Sequence, residues 1–194
     1  MRGAKILPPE ERTDAARKRA IARQMRAFGV PADYARRRGL VRVREPARLV
    51  CIGEDIHGRM QRLTPRAARA CVRMRAAAAA DGVDLQYVSA FRSIGYQFGI
   101  FCGKLERGQP IEEILRVSAA PGYSEHHSGR ALDLTTAGYA PLEEAFECSA
   151  AFAWLQLRAG AFGFTLSYPR GNPHGIAYEP WHWCWHARRV PARD

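Results

Sequence analysis

The chain has 194 residues, 47% hydrophobic and 25% charged, which places it among soluble globular chains with room for one domain and a real core. No run approaches 18 uncharged apolar residues, so the sequence excludes a transmembrane helix. The net charge of +11 is uneven: residues 1–50 hold 14 Lys/Arg against 5 Asp/Glu, net +9, and the other 144 residues hold 16 against 14, net +2.

A basic segment, residues 1–48, is therefore expected as a helical N-terminal extension ahead of a catalytic body, residues 49–194. Such an arm can attract an anionic polymer (nucleic acid, membrane surface or cell wall), or it can be a solvated amphipathic helix. Met1 to Val30 contains no apolar stretch of the kind a secretory signal needs. The cytoplasm is the default expectation, with the periplasm or release on lysis as alternatives. The cysteines at 51, 71, 102, 148 and 184 form no C-x-x-C pair, which reads as reduced thiols and excludes a zinc finger or ribbon.

In chain order, residues 10–28 have apolar residues near helical spacing and stop at Gly29 and Pro31. A short helix through Arg36–Arg38 follows, and a first strand is expected to end in Leu49-Val50-Cys51-Ile52. Thr64 as N-cap with Pro65 at the first helical position opens a helix running to the alanines at 76–80, which Asp81-Gly82 ends. Five alanines in a row suit close packing of that helix on a sheet. Leu85 to Phe91 reads as a strand that delivers Arg92 to a cleft. Helices are expected over 96–107, 111–117 and 146–159, and strands over 164–167 and 181–185. Tight loops and a closing aromatic strand point to an α+β domain.

Two polar clusters carry the chemistry. The first is Pro121-Gly122-Tyr123-Ser124-Glu125-His126-His127-Ser128-Gly129-Arg130-Ala131-Leu132-Asp133-Leu134. With 131–134 as a strand, Ala131 and Asp133 share one face while Leu132 and Leu134 turn to the core. Gly129 permits a tight turn that folds His126 back over Asp133. In the second cluster, Glu179-Pro180-Trp181-His182-Trp183, the tryptophans alternate with His182, Cys184 and His186, and Pro180 breaks the backbone so that Glu179 and His182 can converge. His126, Asp133 and His182 then make a three-ligand zinc site with a fourth position open to water. Glu179 stands ready as the base for that water, and Arg92 as the group that holds a developing oxyanion. A Ser124–His126–Asp133 nucleophilic triad is a rival reading of the same residues, without the strand–turn–helix elbow such a serine needs. Histidines satisfied at a polar turn are another.

The joint pattern Ser124-Glu125-His126-x-x-Gly129-x-Ala131-x-Asp133 with Glu179-Pro-Trp-His182 resembles the zinc D-alanyl-D-alanine carboxypeptidases of the VanY type. These are bacterial cell-wall peptidases that share a fold with the hedgehog signalling domain. The likeness takes in Val88 to Ser93 with Gln97, Ala120-Pro121-Gly122, and Gly163-Phe164 through Ser167-Tyr168-Pro169, and covers roughly residues 49–186. It implies a small antiparallel sheet flanked by helices. His126, Asp133 and His182 would bind zinc, with Glu179 as catalytic base and Arg92 polarising the scissile carbonyl. Ser124 would hold substrate near its terminal carboxylate, with Gln97 lining the same pocket. The usual tyrosine before the arginine is Phe91 here. The implied activity is removal of a terminal D-alanine from peptidoglycan stem peptides or their precursors. L,D-carboxypeptidase or endopeptidase cleavage of the same stem is the close alternative, and a zinc-stabilised binding module the distant one.

Overall fold

A computed structural model describes residues 14–187. The fold grows from four short strands. These are β3 (Gln86–Ser89), β4 (Ala131–Thr135), β5 (Phe164–Leu166) and β6 (His182–Trp185), paired antiparallel throughout in the order β3-β4-β6-β5. A separate hairpin, β1 (Val50–Glu54) with β2 (Met60–Leu63), lies ahead of them.

Leu132 and Leu134 of β4, Trp183 of β6 and Phe164 of β5 form the apolar face of the larger sheet. Two helices cover it, α3 (Pro65–Ala80) through Ala67, Cys71, Met74 and Ala78, and α6 (Ala150–Arg158) through Phe152 and Leu155. Each large side chain buried here contributes about 1.5–3 kcal/mol. β4 is buried along its whole length, one face in this core and the other in the site described below. The alanine run differs from expectation. Ala78 is buried and Ala77 half-buried, but Ala76, Ala79 and Ala80 face solvent, and the close approach to the sheet comes from Ala67, Ala70 and Cys71.

Helices α4 (Ile94–Glu106) and α5 (Ile111–Val117) stand beside the sheet and wall the cleft. α4 starts two residues before the expected 96, because Ser93 caps it by accepting from the Tyr96 N–H at 3.0 Å. The expected helix 146–159 is split: a 3₁₀ turn over Glu144–Cys148 leads to Ser149, whose hydroxyl accepts from the Phe152 N–H and restarts the chain as α6. β2 has no counterpart in the sequence reading, since Met60-Gln61-Arg62-Leu63 is too short and polar to announce a strand. Residues 41–49 are not strand. Val43 instead donates to the Gly122 carbonyl at 2.8 Å, and Glu45 accepts from the Ile94 N–H, so the segment is strapped across the turn and α4.

α1 (Asp14–Ala27) and α2 (Tyr34–Arg37) supply the helical part of the basic segment; residues 10–13 of the expected helix lie outside the described residues. Ile21 packs on Ile94 and Phe98 of α4, and Val30 and Tyr34 on Phe101, Ile114 and Leu115. The Tyr34 hydroxyl accepts from the Ala120 N–H at 3.1 Å. Among the described residues no helix is long and apolar enough to cross a membrane.

Candidate metal centre and cleft

β4 and β6 lie side by side with Asp133 directly opposite His182, so both side chains leave the same face of the sheet. The 3₁₀ turn Glu125–Ser128 brings His126 over them and closes at Gly129, whose φ of 63° is left-handed. A Cβ at Gly129 would sit 2.8 Å from Leu49 Cδ2, so only glycine fits that corner without displacing its neighbour. His126 Nε2 then stands 3.1 Å from Asp133 Oδ2, and His182 Nδ1 3.0 Å from Asp133 Oδ1. One carboxylate oxygen serves each imidazole.

The other nitrogen of each ring fixes what the inner one offers. His126 Nδ1 lies 2.5 Å from the Ala90 carbonyl and donates its proton there, which leaves Nε2 with a lone pair aimed at the carboxylate. Nε2 is buried and makes no hydrogen bond, although it is within ion-pair distance of Asp133. Burial, reinforced by the Arg92 charge, depresses the His126 pKa to about 4, so this ring is neutral. Two electron-pair donors facing each other in a dry pocket are what a cation between them would reconcile.

His182 is anchored from behind: its Nε2 donates to Glu125 Oε2 at 2.9 Å, which turns Nδ1 toward Asp133. Burial opposes a charge on this ring, but the bonds to Asp133 and Glu125 outweigh it and raise the pKa to about 10. Burial works against an ionised Asp133 too, yet the two histidines hold its carboxyl far below the usual carboxylate range. Ligand atoms of His126, Asp133 and His182 all lie within 4.8 Å of one another. Two imidazoles and one carboxylate, with a carbonyl and a second carboxylate orienting the rings, fit a zinc ion with an open coordination position.

Glu179 reaches the same point by a turn, His182 N–H donating to the Glu179 carbonyl at 3.0 Å. Glu179 Oε2 stops 3.8 Å from His182 Nδ1, close to the group but outside hydrogen-bond range. Burial pushes its carboxyl up to about 7; the His182 charge opposes that and Asp133 adds to it. Arg92 is held by its backbone, its N–H donating to the His126 carbonyl at 3.3 Å and its carbonyl accepting from His127 Nδ1 at 2.7 Å. Its Nη2 is 3.9 Å from Asp133 Oδ2, and its Nε is buried without a partner.

These groups line a cleft of about 390 Å³ walled by α4, the end of α5 and residues 176–181. His126, Asp133, His182, Glu179, Arg92, Ser124 and Gln97, the seven residues singled out in the sequence, all face it. Gln97 donates from Nε2 to the Ala119 carbonyl at 3.0 Å, while its Oε1 is buried and unpartnered. Phe91 is not among the lining residues.

Four further residues matter that the sequence did not single out for the site. Glu125 orients His182 from 57 positions away, a pairing no local spacing signals. His127 is a buried staple: Gly122 N–H donates to its Nε2 at 3.1 Å, and its Nδ1 donates to the Arg92 carbonyl. Tyr168 packs its ring 4.8 Å from that of His182. Lys104 enters the cleft from α4, about two turns beyond Gln97, and its Nζ donates to Ser118 Oγ at 3.2 Å. His174 lies outside this cleft, bonded to the Arg38 carbonyl.

Comparison with known proteins agrees with this architecture. The structure of the LdcB LD-carboxypeptidase superposes with a TM-score of 0.67 at 32% identity, covering 75% of this chain and 71% of that one. VanYB in complex with D-alanine-D-alanine gives 0.61 at 25% identity, covering 76% and 82%. A VanY D,D-pentapeptidase mutant in complex with Zn(II) gives 0.57 at 25%, covering 75% and 86%. The fold is thus that of small α+β zinc carboxypeptidases. A family model described as D-alanyl-D-alanine carboxypeptidase, VanY, matches residues 60–188, and the chain belongs to that family. The protein YodJ of Bacillus subtilis (strain 168), which bears a carboxypeptidase name, is 36% identical over 121 residues, 60% of this chain and 43% of its own. A D-alanyl-D-alanine carboxypeptidase of Enterococcus faecium is 41% identical over 63 residues, 31% of this chain and 19% of its own. The chain spans less than half the length of these two curated relatives.

Proposed function

We propose that the protein is a zinc-dependent carboxypeptidase that removes the terminal D-alanine of peptidoglycan stem peptides or their precursors. The observation that carries this reading is the half-buried Glu179 carboxyl beside, but not within, the His126–Asp133–His182 group. A module that only binds has no use for a carboxylate held near neutrality at that place, whereas amide hydrolysis needs a base that can both take and return a proton.

Zinc held by His126, Asp133 and His182 would supply Lewis acidity toward water and toward a carbonyl oxygen. Glu179 would accept the proton of the attacking water and pass it to the departing amine. Arg92, fixed through both its N–H and its carbonyl, would lay its guanidinium against the oxygen that gains charge. Ser124, Gln97 and Lys104 would meet the end of the peptide beyond the scissile bond, where a free carboxylate suits a cleft lined by a lysine and an arginine. Alternative L,D-cleavage of the same stem is favoured by the likeness to LdcB, the highest TM-score of the three structures described.

The decisive experiment incubates the zinc-loaded protein with muropeptides ending in D-Ala-D-Ala or in a single D-Ala and follows product masses. Loss of one alanine from the first alone gives D,D specificity, and loss from the second gives L,D specificity. If zinc is bound and neither peptide is shortened, the carboxypeptidase reading is wrong.

A further inference from the structure

Behind His182, away from the cleft, a second set of donors converges. Cys184 and His186 follow His182 at alternate positions, so all three side chains start from one side of the same extended segment. Cys184 stands opposite Ala131 on β4 and Thr165 on β5, two small residues. Glu125 comes in from the 3₁₀ turn, one of its oxygens already accepting from His182 Nε2. A carboxylate oxygen of Glu125, the Cys184 sulfur and a ring nitrogen of His186 lie within 4.8 Å of one another. Cys184 is buried, Glu125 half-buried and His186 exposed, and a separate cleft of about 320 Å³, lined by Glu125, Ser167, Tyr168, His174 and His186, gives access from solvent.

We propose that Glu125, Cys184 and His186 form a second divalent-cation site, distinct from the His126–Asp133–His182 group and suited to zinc. Thiolate, imidazole and carboxylate are the three ligand types zinc shares, whereas magnesium and calcium take oxygen donors. Arg130 lines the same cleft and burial holds the Cys184 thiol protonated in the metal-free protein, so the donor set, not a surplus of negative charge, selects the cation. Coordination itself removes the thiol proton. Three protein donors leave a further position open toward the cleft. Because Glu125 also orients His182, a cation here would draw on the carboxylate that steadies the first site. The donor geometry does not depend on the proposed peptidase activity.

The first group contains no sulfur, which makes the test specific. The full-length protein, stripped of metal, is titrated with Co²⁺, and the thiolate-to-cobalt charge-transfer band in the near ultraviolet is followed. The band is expected in the wild type and absent in Cys184→Ser. In His186→Ala, a change at an exposed side chain, the apparent affinity read from the band should fall about tenfold or more. With zinc, mass spectrometry under native conditions should find two ions per wild-type chain and one per Cys184→Ser chain. A single ion in the wild type overturns the proposal. So does a band that survives Cys184→Ser, which would place it on the exposed Cys51 or Cys148. An unchanged titration in His186→Ala overturns it as well, since Cys184 would then bind without its partner. None of these readouts uses peptide turnover, so they can fail while the carboxypeptidase reading stands.

Discussion

Glu125 and Glu179 reach His182 from opposite sides, and their surroundings drive them apart. Glu125 accepts a hydrogen bond from His182 Nε2; burial opposes its charge, but that bond and the imidazole charge win and bring its pKa down to about 2. Glu179, 3.8 Å from Nδ1 and without such a bond, is left with the cost of burial and rises to about 7. Two carboxylates on one ring thus become a permanent anion that orients and a group that can exchange protons near neutrality. Identity of side chain does not decide the role; one hydrogen bond does.

The largest expected effect separates them directly. Glu179→Gln keeps the shape and removes the base, so kcat should fall by about 100- to 10,000-fold. Zinc at the His126–Asp133–His182 group, measured by elemental analysis, should stay. Glu125→Gln keeps a hydrogen-bond acceptor for His182 Nε2 but loses the charge, and metal affinity should drop by about 10- to 100-fold, with activity recovered at high zinc. If Glu179→Gln loses the metal and Glu125→Gln does not, the two roles have been assigned the wrong way round.

The pH profile tests the same contrast without mutation. Only ionised Glu179 can act as base, so kcat/KM should rise with pH through an acid limb at or below about 7, since a metal cation nearby pulls the carboxyl down from its metal-free value. Glu125 remains ionised across that range and contributes no limb. A profile with no acid limb at any pH at which the protein stays folded and metal-bound would remove Glu179 from the proton-transfer role.

Much of this site can be read from alternation and punctuation in the chain. Asp133 and His182 sit on strands whose intervening Leu132, Leu134 and Trp183 are plainly core, and Gly129 and Pro180 mark the two places where the backbone must bend. What cannot be read is contact between distant polar residues. The Glu125–His182 bond spans 57 positions, and His127 faces Gly122 and the Arg92 carbonyl only because the 3₁₀ turn divides adjacent side chains. The packing of α1 on α4 is hidden in another way: apolar residues at helical spacing, Ile21 among them, are visible in the chain, but not which element covers them.

Gly129 extends the comparison to stability. The left-handed φ and the 2.8 Å approach to Leu49 mean that Gly129→Ala must distort the turn that places His126 and Glu125 together. A loss of about 1–3 kcal/mol is expected in urea unfolding, along with weaker metal binding. Gly138, also at positive φ but with nothing within 4 Å of an added Cβ, is the control: Gly138→Ala should cost less and leave the metal alone.

A pH-dependent effect remains at His127, the neighbour of a metal-binding candidate and itself a staple. Burial depresses its pKa to about 4, with the His126 and Arg92 charges acting in the same direction against the bond to the Arg92 carbonyl. The unfolded chain takes up this proton near about 6.5, whereas the folded chain resists until about 4. Its contribution is therefore fully present above about 6.5 and is lost as pH falls through that window, by about 3 kcal/mol in all. Unfolding by urea at a series of pH values, with zinc saturating so that His126 is pinned, should show this slope in the wild type. His127→Gln should be less stable at neutral pH yet flatter with acid, because a glutamine takes up no proton on unfolding. If the slope persists in the variant, the acid sensitivity belongs to other groups, and His127 holds Arg92 by shape alone.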